Sequence, residues 1–427
     1  MYYKVNNAYA ISPKGVGAVV LNKGVRNFTS DIMHDAAIGT PEAITSRFAI
    51  NRAKAMLLRD VVACNWFVGA KGDSSSYSSY KFAQAKPQVG CDPEVFLGDG
   101  DKLIPAFDVL PSKAQAGTSP FFWDGFQAEC VPAKSECIQI LLTNLQEALL
   151  QMRKHVRAKR PNADFLAQDA VGINPKGVKP EHLALGCDPS LNLYGVGGDL
   201  PADPSKLPWR FAGGHIHFGD AGIKDSPNKA RDAAKIVRDL DKILAVWSVG
   251  AFGAFERNKV RRRYYGLAGE FRLPPHGLEY RTLSNGWLAS PEVAQLTFEL
   301  ARAVFQLSKI GLLDFWYGDE ETTQGIVNNY DVELARRILR HNEKLFIRIV
   351  AAANENFQLA KGGPEHIARK ALQVGLEGVE CAVENPLAIT RNWLLEEYDA
   401  IPLVYGSKPT RVRAGWRTWQ SKAIQMS

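Results

Sequence analysis

A chain of 427 residues with 46% hydrophobic and 23% charged residues has the composition of a soluble globular protein, long enough for two or three domains. Its net charge of +7 suits an anionic substrate such as a nucleotide and is too mild to imply nucleic-acid binding. Six cysteines with no C-x-x-C spacing argue against a zinc ribbon or a disulfide framework and predict a reducing, cytoplasmic setting.

The opening MYYKVNNAYAISPKG has no apolar signal-peptide core. Residues 1–85 carry no functional motif. Thr40-Pro41-Glu42 predicts a helix start, with a cap, a proline at the first helical position and an early acid. GDSSSYSSYK, residues 72–81, reads as a linker or a loop. A second domain is expected over 86–315. There, 89–97 predicts a strand, GDGD at 98–101 a hairpin turn and 102–107 the return strand. Asp92 and Glu94 share one face of that strand. Two acids on an apolar strand call for a cation, unless Pro93 marks a solvent-facing edge.

FFWDGFQAE brings Asp124 and Glu129, separated by a turn at Gly125 and set among Phe121, Phe122, Trp123 and Phe126. A helix capped near Ser135 follows, with Ile138, Leu141, Leu142, Leu145, Leu149, Met152 and Val156 at core spacing. LGCDPSLNLYG echoes GCDPEVFLG, with Ser190 where Glu94 stood. In RFAGGHIHFGDAG, Gly213-Gly214 permits a close backbone approach, and His215 and His217 share a strand face. A helix is predicted over 228–249. The most apolar run of the chain, 243–255, is shorter than the about 18 residues of a membrane span.

Residues 261–286, RRRYYGLAGEFRLPPHGLEYRTLSNG, hold five arginines and two glutamates. GLEYRTL reads as a buried strand with Glu279 and Arg281 on one side and Tyr280 behind. The pair is either a plain surface ion pair or a seat for a metal–polyphosphate. Ser290-Pro291-Glu292 starts another helix. Residues 316–427 read as mostly helical, with Leu334, Ile338, Leu345, Phe346 and Ile349 marking one helix. The basic tail with Trp416 and Trp419 reads as a docked or frayed terminus, against a nucleic-acid or partner surface.

Taken in order, GCDPEVFL, DGFQAE, GGHIHFG, YYGLAGEFR and HGLEYRTLSN resemble the motifs of glutamine-synthetase-like carboxylate–amine ligases, and within them the phage-associated COOH–NH2 ligases of type 2. The resemblance covers about residues 88–315. It implies an α+β fold with a curved antiparallel sheet packed by long helices. It implies ATP and two or three Mg2+ ions, with Mn2+ as a substitute, and an amide bond formed through an acyl phosphate. By motif, Asp92, Glu94, Asp124, Glu129, His215 and Glu279 are the implied metal ligands. Arg272 and Arg281 are implied at the transferred phosphoryl group, with His217 beside them. His215, Arg262, Arg263 and Arg281 are implied at the nucleotide. The implied partners are small-molecule or peptide carboxylates and amines. Neither membrane nor nucleic acid is expected, homo-oligomerisation stays open, and the setting is the cytoplasm, that of the host if the chain is phage-encoded.

Other readings stay open at the level of sequence: a phosphotransferase of the same fold, a metal-dependent hydrolase built on H-x-H, and a non-catalytic protein keeping the fold. No G-x-x-x-x-G-K-[ST] or G-x-G-x-x-G occurs, so a P-loop or kinase-type phosphate cradle is not expected.

Overall fold

A computed structural model of the chain describes residues 87–379, apart from 101, 167, 177, 184–189, 202, 253–254, 257–258, 310–312, 314–315 and 354–362, together with Trp393 and the strands of two short hairpins near the ends. The helix expected after Thr40, the Ser-rich stretch, most of the LGCDPS echo and the tail tryptophans lie outside the described residues. The chain gathers into two units. One holds Met1–Pro87, Glu299–Tyr317 and His341–Leu372, and the other holds Gln88–Phe298, Gly318–Arg340 and Gln373–Ser427.

The first hairpin pairs β1 (Tyr2–Val5) with β2 (Ala8–Ile11). The second unit is built on a nine-stranded sheet whose pairings are all antiparallel. In chain order its strands are β3 (Gln88–Asp99), β4 (Lys102–Ile104), β5 (Phe121–Asp124), β6 (Gln127–Cys130) and β7 (Asp164–Leu166). After β8 (Ala170–Gly172) come β9 (Leu191–Asn192), β10 (Trp209–Phe211), β11 (Gly214–Gly219), β12 (Glu270–Arg272) and β13 (Gly277–Tyr280). The order across the sheet is β5-β6-β3-β11-β13-β12-β9, with β4 and β7 also paired to β3. β8 and β10 form a separate pair, and so do β14 (Ala400–Tyr405) and β15 (Lys408–Ala414). This is an α+β architecture.

β3 is buried along its length except at its two ends, so it is no edge strand despite Pro93. Its alternation sets the two faces of the sheet. Val89, Cys91, Val95 and Leu97 lie on one face and are fully or almost fully buried. The helix Ile138–Lys159 packs against β3, β6 and β7, and all seven residues expected at its core spacing are buried. That helix starts two residues later than Ser135 would cap it. Ser135 instead bridges to Val89 through its backbone and takes the Cys137 amide on its hydroxyl.

The helix expected over 228–249 is interrupted. Lys229–Leu240 passes into a π-turn at Asp241–Ala245 and then into Val246–Phe252. Tyr280, on the far face of β13, donates from Oη to Asp241 Oδ1 at 2.6 Å, and burial pushes the Asp241 carboxyl up to about 7. The helix starting at Ser290 is present as Pro291–Lys309, with the Ser290 hydroxyl accepting from Val293 N. The single helix expected around 334–349 is two, Val332–His341 and Glu343–Ala353. The break falls at Asn342, whose side chain bonds the backbone of Tyr317 in both directions. Among the described residues no helix is long and apolar enough to cross a membrane.

Candidate active site

Strand register brings the scattered motifs together. Asp92 on β3 lies opposite His215 on β11, and Glu94 lies opposite Glu129 on β6. His217 pairs with Glu279 on β13, and Glu279 with Arg272 on β12. These side chains line one wall of a cavity of about 870 Å³. Its other walls include Lys113, Phe122, Trp123, Asp124, Leu191 and the Leu273–Pro275 turn. Asp124 enters because the β5–β6 hairpin turns at Gly125, whose φ is +62°.

The double glycine is explained by crowding. A Cβ at Gly213 would collide with the His215 ring, and one at Gly214 with the Ser284 carbonyl and the Trp287 indole. Without a side chain, the Gly213 amide donates to Glu94 Oε2 at 2.5 Å, while the Trp287 indole donates to the Gly214 carbonyl.

The polar residues divide into two clusters. Glu94, Asp124 and Glu129 each offer an oxygen within 4.8 Å of the others. Burial pushes all three carboxyls up, Glu94 to about 8. Repulsion from neighbouring acids adds to the rise, and the attraction of Lys113, Arg272 or Arg281 does not offset it. The second cluster is internally paired. His215 Nδ1 and His217 Nε2 lie 3.2 and 3.0 Å from Asp92 Oδ1. Arg272 donates to Glu279 Oε1 at 2.5 Å, and Arg281 Nη1 donates to the same oxygen. Burial opposes ionisation of Asp92, yet His217 and His215 hold it well below the usual carboxylate range. Glu279 is likewise depressed against its burial by His215 and the arginines.

The two histidines differ. Burial and then Arg281 push His215 down to about 4, so its ring is neutral. A Nδ1–H donated to Asp92 leaves its Nε2 to accept from the Tyr265 hydroxyl, which in turn accepts from Arg281 Nη2 at 2.7 Å. His217 is raised against its burial by Asp92. Its Nδ1 lies 3.0 Å from His276 Nε2.

The donor chemistry fits divalent cations. Two buried carboxyls and one half-buried, facing one another, present oxygen only, the set that hard cations take. Asp92, His217 and Glu279 form a second group of converging ligand atoms, with one imidazole nitrogen among carboxylates.

The arginine triplet lies elsewhere than the resemblance implied. Arg262 is 2% exposed and pairs with both oxygens of Glu256 while donating to the Gly266 and Thr282 carbonyls. Arg261 donates to the Thr282 and Leu283 carbonyls. Arg263 is exposed and reaches Asp199. None of the three lines the cavity; Arg261 and Arg262 brace the loops that carry β12 and β13. The whole triplet lies in a short helix, Val260–Tyr264. Arg281 stands behind the wall, reaching the cavity through Glu279.

Sequence reasoning missed Lys113, Tyr265 and His276. Tyr265 lies inside YYGLAGEFR, so the motif held it without marking it. His276 sits in a Pro-Pro turn that the β12–β13 hairpin folds back towards His217. Lys113 follows the capping box of Ser112 at the start of the one-turn helix Lys113–Ala116, and no sequence signal ties it to the site.

The sheet face and its clusters define a carboxylate-rich centre backed by arginine. Residues 205–321 match the family described as phage phiEco32-like COOH.NH2 ligase-type 2, so over that segment the chain carries the family likeness read from its motifs. The matched segment supplies His215, His217, Arg272, Glu279 and Arg281, and the sheet adds Asp92, Glu94, Asp124 and Glu129 from outside it. Among solved structures, a bifunctional glutathione synthetase from Pasteurella multocida is similar at a TM-score of 0.38 and 10% identity, over 75% of this chain and 54% of that one. The chain thus spans about half the length of that protein. No curated protein matches it.

Proposed function

We propose that this chain is an ATP-dependent carboxylate–amine ligase of glutamine-synthetase-like type, with its catalytic domain over 86–315, that forms an amide through an acyl phosphate. The observation that carries this reading is the pair of clusters on one sheet face: three carboxyls raised together, beside a carboxylate that gathers two arginines. Glu94, Asp124 and Glu129 would hold one divalent cation, and Asp92, His217 and Glu279 another, with His215 behind them. Bound there, Mg2+ or Mn2+ supplies charge neutralisation for a polyphosphate.

A carboxylate is a poor electrophile. Its oxygen attacks the γ-phosphorus, the bond to ADP breaks, and the acyl carbon becomes open to an amine. The amine nitrogen then displaces phosphate. Arg272, part-exposed at the cavity wall, offers its guanidinium to the transferred phosphoryl group. Arg281 and Tyr265 fix Glu279 and the neutral His215 in place. Fixed charges of this sort act through positioning and electrostatics.

ATP turnover with Mg2+ tests the reading, using a pooled panel of amino acids and amines with mass-spectrometric product detection, for the wild type and Glu279→Gln. The expected result is a condensation product with ADP and phosphate, all lost in the variant. ADP with a phosphorylated product would replace the ligase by a phosphotransferase. Hydrolysis that needs metal but no ATP would replace it by a hydrolase.

A further inference from the structure

Beside the main cavity lies a smaller chamber of about 330 Å³. The two share Asp92, Glu129 and His217, together with Lys113 and Phe122 at the partition. They therefore meet at the junction of the two charge clusters. The chamber's floor is opened by missing side chains. A Cβ at Gly90 would lie 3.4 Å from Lys134 Cβ and 3.6 Å from His217 Cβ, so any larger residue there would grow into the space.

At the end shared with the main cavity stand Asp92 and Glu129 together with Lys113. Val131, Pro132 and Phe122 give it apolar sides. Lys134, which is exposed, and His276, tied to His217 at 3.0 Å, close the outer part. Lys113 holds its ammonium 5.1 Å from the centre of the Phe122 ring. With cations on Asp92 and Glu129, the shared end suits an uncharged amine nitrogen rather than an ammonium, and Lys134 at the other end suits a carboxylate. An occupant that fits the lining therefore carries an amine and a carboxylate on an apolar body. The size suits it, since small-molecule sites begin at about 300 Å³.

We propose that this chamber seats the amine substrate, and that this substrate is an apolar α-amino acid, or a short peptide, whose carboxylate is met by Lys134. The proposal rests on the ligase reading. The amino group points to the junction where the acyl carbon would arrive. There the C–N bond forms and the C–O bond to phosphate breaks. Of the two protons shed by the ammonium, one leaves on phosphate and the other passes to solvent.

Hydroxylamine separates the two ideas, because it intercepts an acyl phosphate as a hydroxamate and is too small to need the chamber. The full chain is given ATP, Mg2+, a panel of carboxylic acids and hydroxylamine. With the acid so identified, leucine, leucinamide and 3-methylbutylamine are compared as amines. The wild type is expected to favour leucine by at least about tenfold in kcat/KM, as a site built for a charged group rejects analogues lacking it. Lys134→Glu should leave the hydroxamate yield unchanged, raise the KM for leucine by at least about tenfold and move the preference towards leucinamide. Val131→Trp, at an exposed position, should exclude leucine while still admitting glycine. An intact hydroxamate yield with unaltered amine preference in both variants overturns the chamber assignment alone. No hydroxamate from the wild type with any acid overturns the ligase reading, and this proposal with it.

Discussion

The two halves of the candidate site use the same residue type to opposite ends. Glu94, Asp124 and Glu129 are carboxyls that burial and mutual repulsion push towards the protonated form. Asp92 and Glu279, equally enclosed, are held ionised by His215, His217, Arg272 and Arg281. The first half carries more carboxylate than its surroundings neutralise, and the second is balanced within itself. A buried acid therefore signals a ligand site through its neighbours, not through its burial. The acid triad is the half that gains most from an added cation.

Substitutions should separate the halves. The largest effect is expected for Glu279→Gln, which releases both arginines and His215. Steady-state turnover should fall about 10²- to 10³-fold, the cost of removing one organised charge, and a loss below tenfold would mean that the paired half does not organise the chemistry. Glu129→Gln should act differently. It should raise the Mg2+ concentration for half-maximal activity by about 10- to 100-fold, on the scale of other perturbed metal sites. It should also raise the melting temperature in chelator, because the buried repulsion is relieved. A lower melting temperature in chelator would show that the triad is balanced by itself.

The pH dependence sharpens the contrast further. Glu94 is raised to about 8, so its contribution is fully present below the ordinary carboxylate pKa and is lost as pH rises towards 8. Asp92 and Glu279 are depressed, so theirs is present above the ordinary value and is lost as pH falls below it. Melting temperatures in chelator should therefore decline as pH rises from the ordinary carboxylate range to about 8, and Mg2+ should abolish that decline. An equal decline over that range with and without Mg2+ would detach the triad from metal binding. Smallest of all, Tyr265→Phe removes one hydroxyl between His215 and Arg281 and should cost about 1 kcal/mol in denaturant unfolding.

Much of the site was legible because strands alternate. The two-residue spacings of Asp92 with Glu94, His215 with His217, and Glu279 with Arg281 placed each pair on one side; the structure joins His215 to His217 through Asp92 and Glu279 to Arg281, while Asp92 and Glu94 face one cavity from separate clusters. The seven apolar positions of the long helix were legible for the same kind of reason. Pairing between strands was not, since nothing local tells Glu94 that Glu129 will lie across from it. The arginine triplet misled because its partners are mostly backbone carbonyls, at Gly266, Thr282 and Leu283, which leave no mark in a sequence. The π-turn at Asp241 was hidden for a related reason, as its apolar spacing matches that of a continuous helix.

β3 has a consequence for how the chain reaches this state. It pairs with β4, β6, β7 and β11. β4 and β6 follow it closely in the chain, whereas the Gly213 amide that caps Glu94 is 119 positions away. Nearby pairings close early at little entropic cost, and distant ones come late. The acid triad, drawn wholly from 94–129, thus belongs to a locally folded hairpin cluster, while the histidines and arginines join it only when β11 docks. During synthesis every residue of the triad is made by position 129, well before His215, His217, Arg272 and Arg281, which balance the neighbouring half.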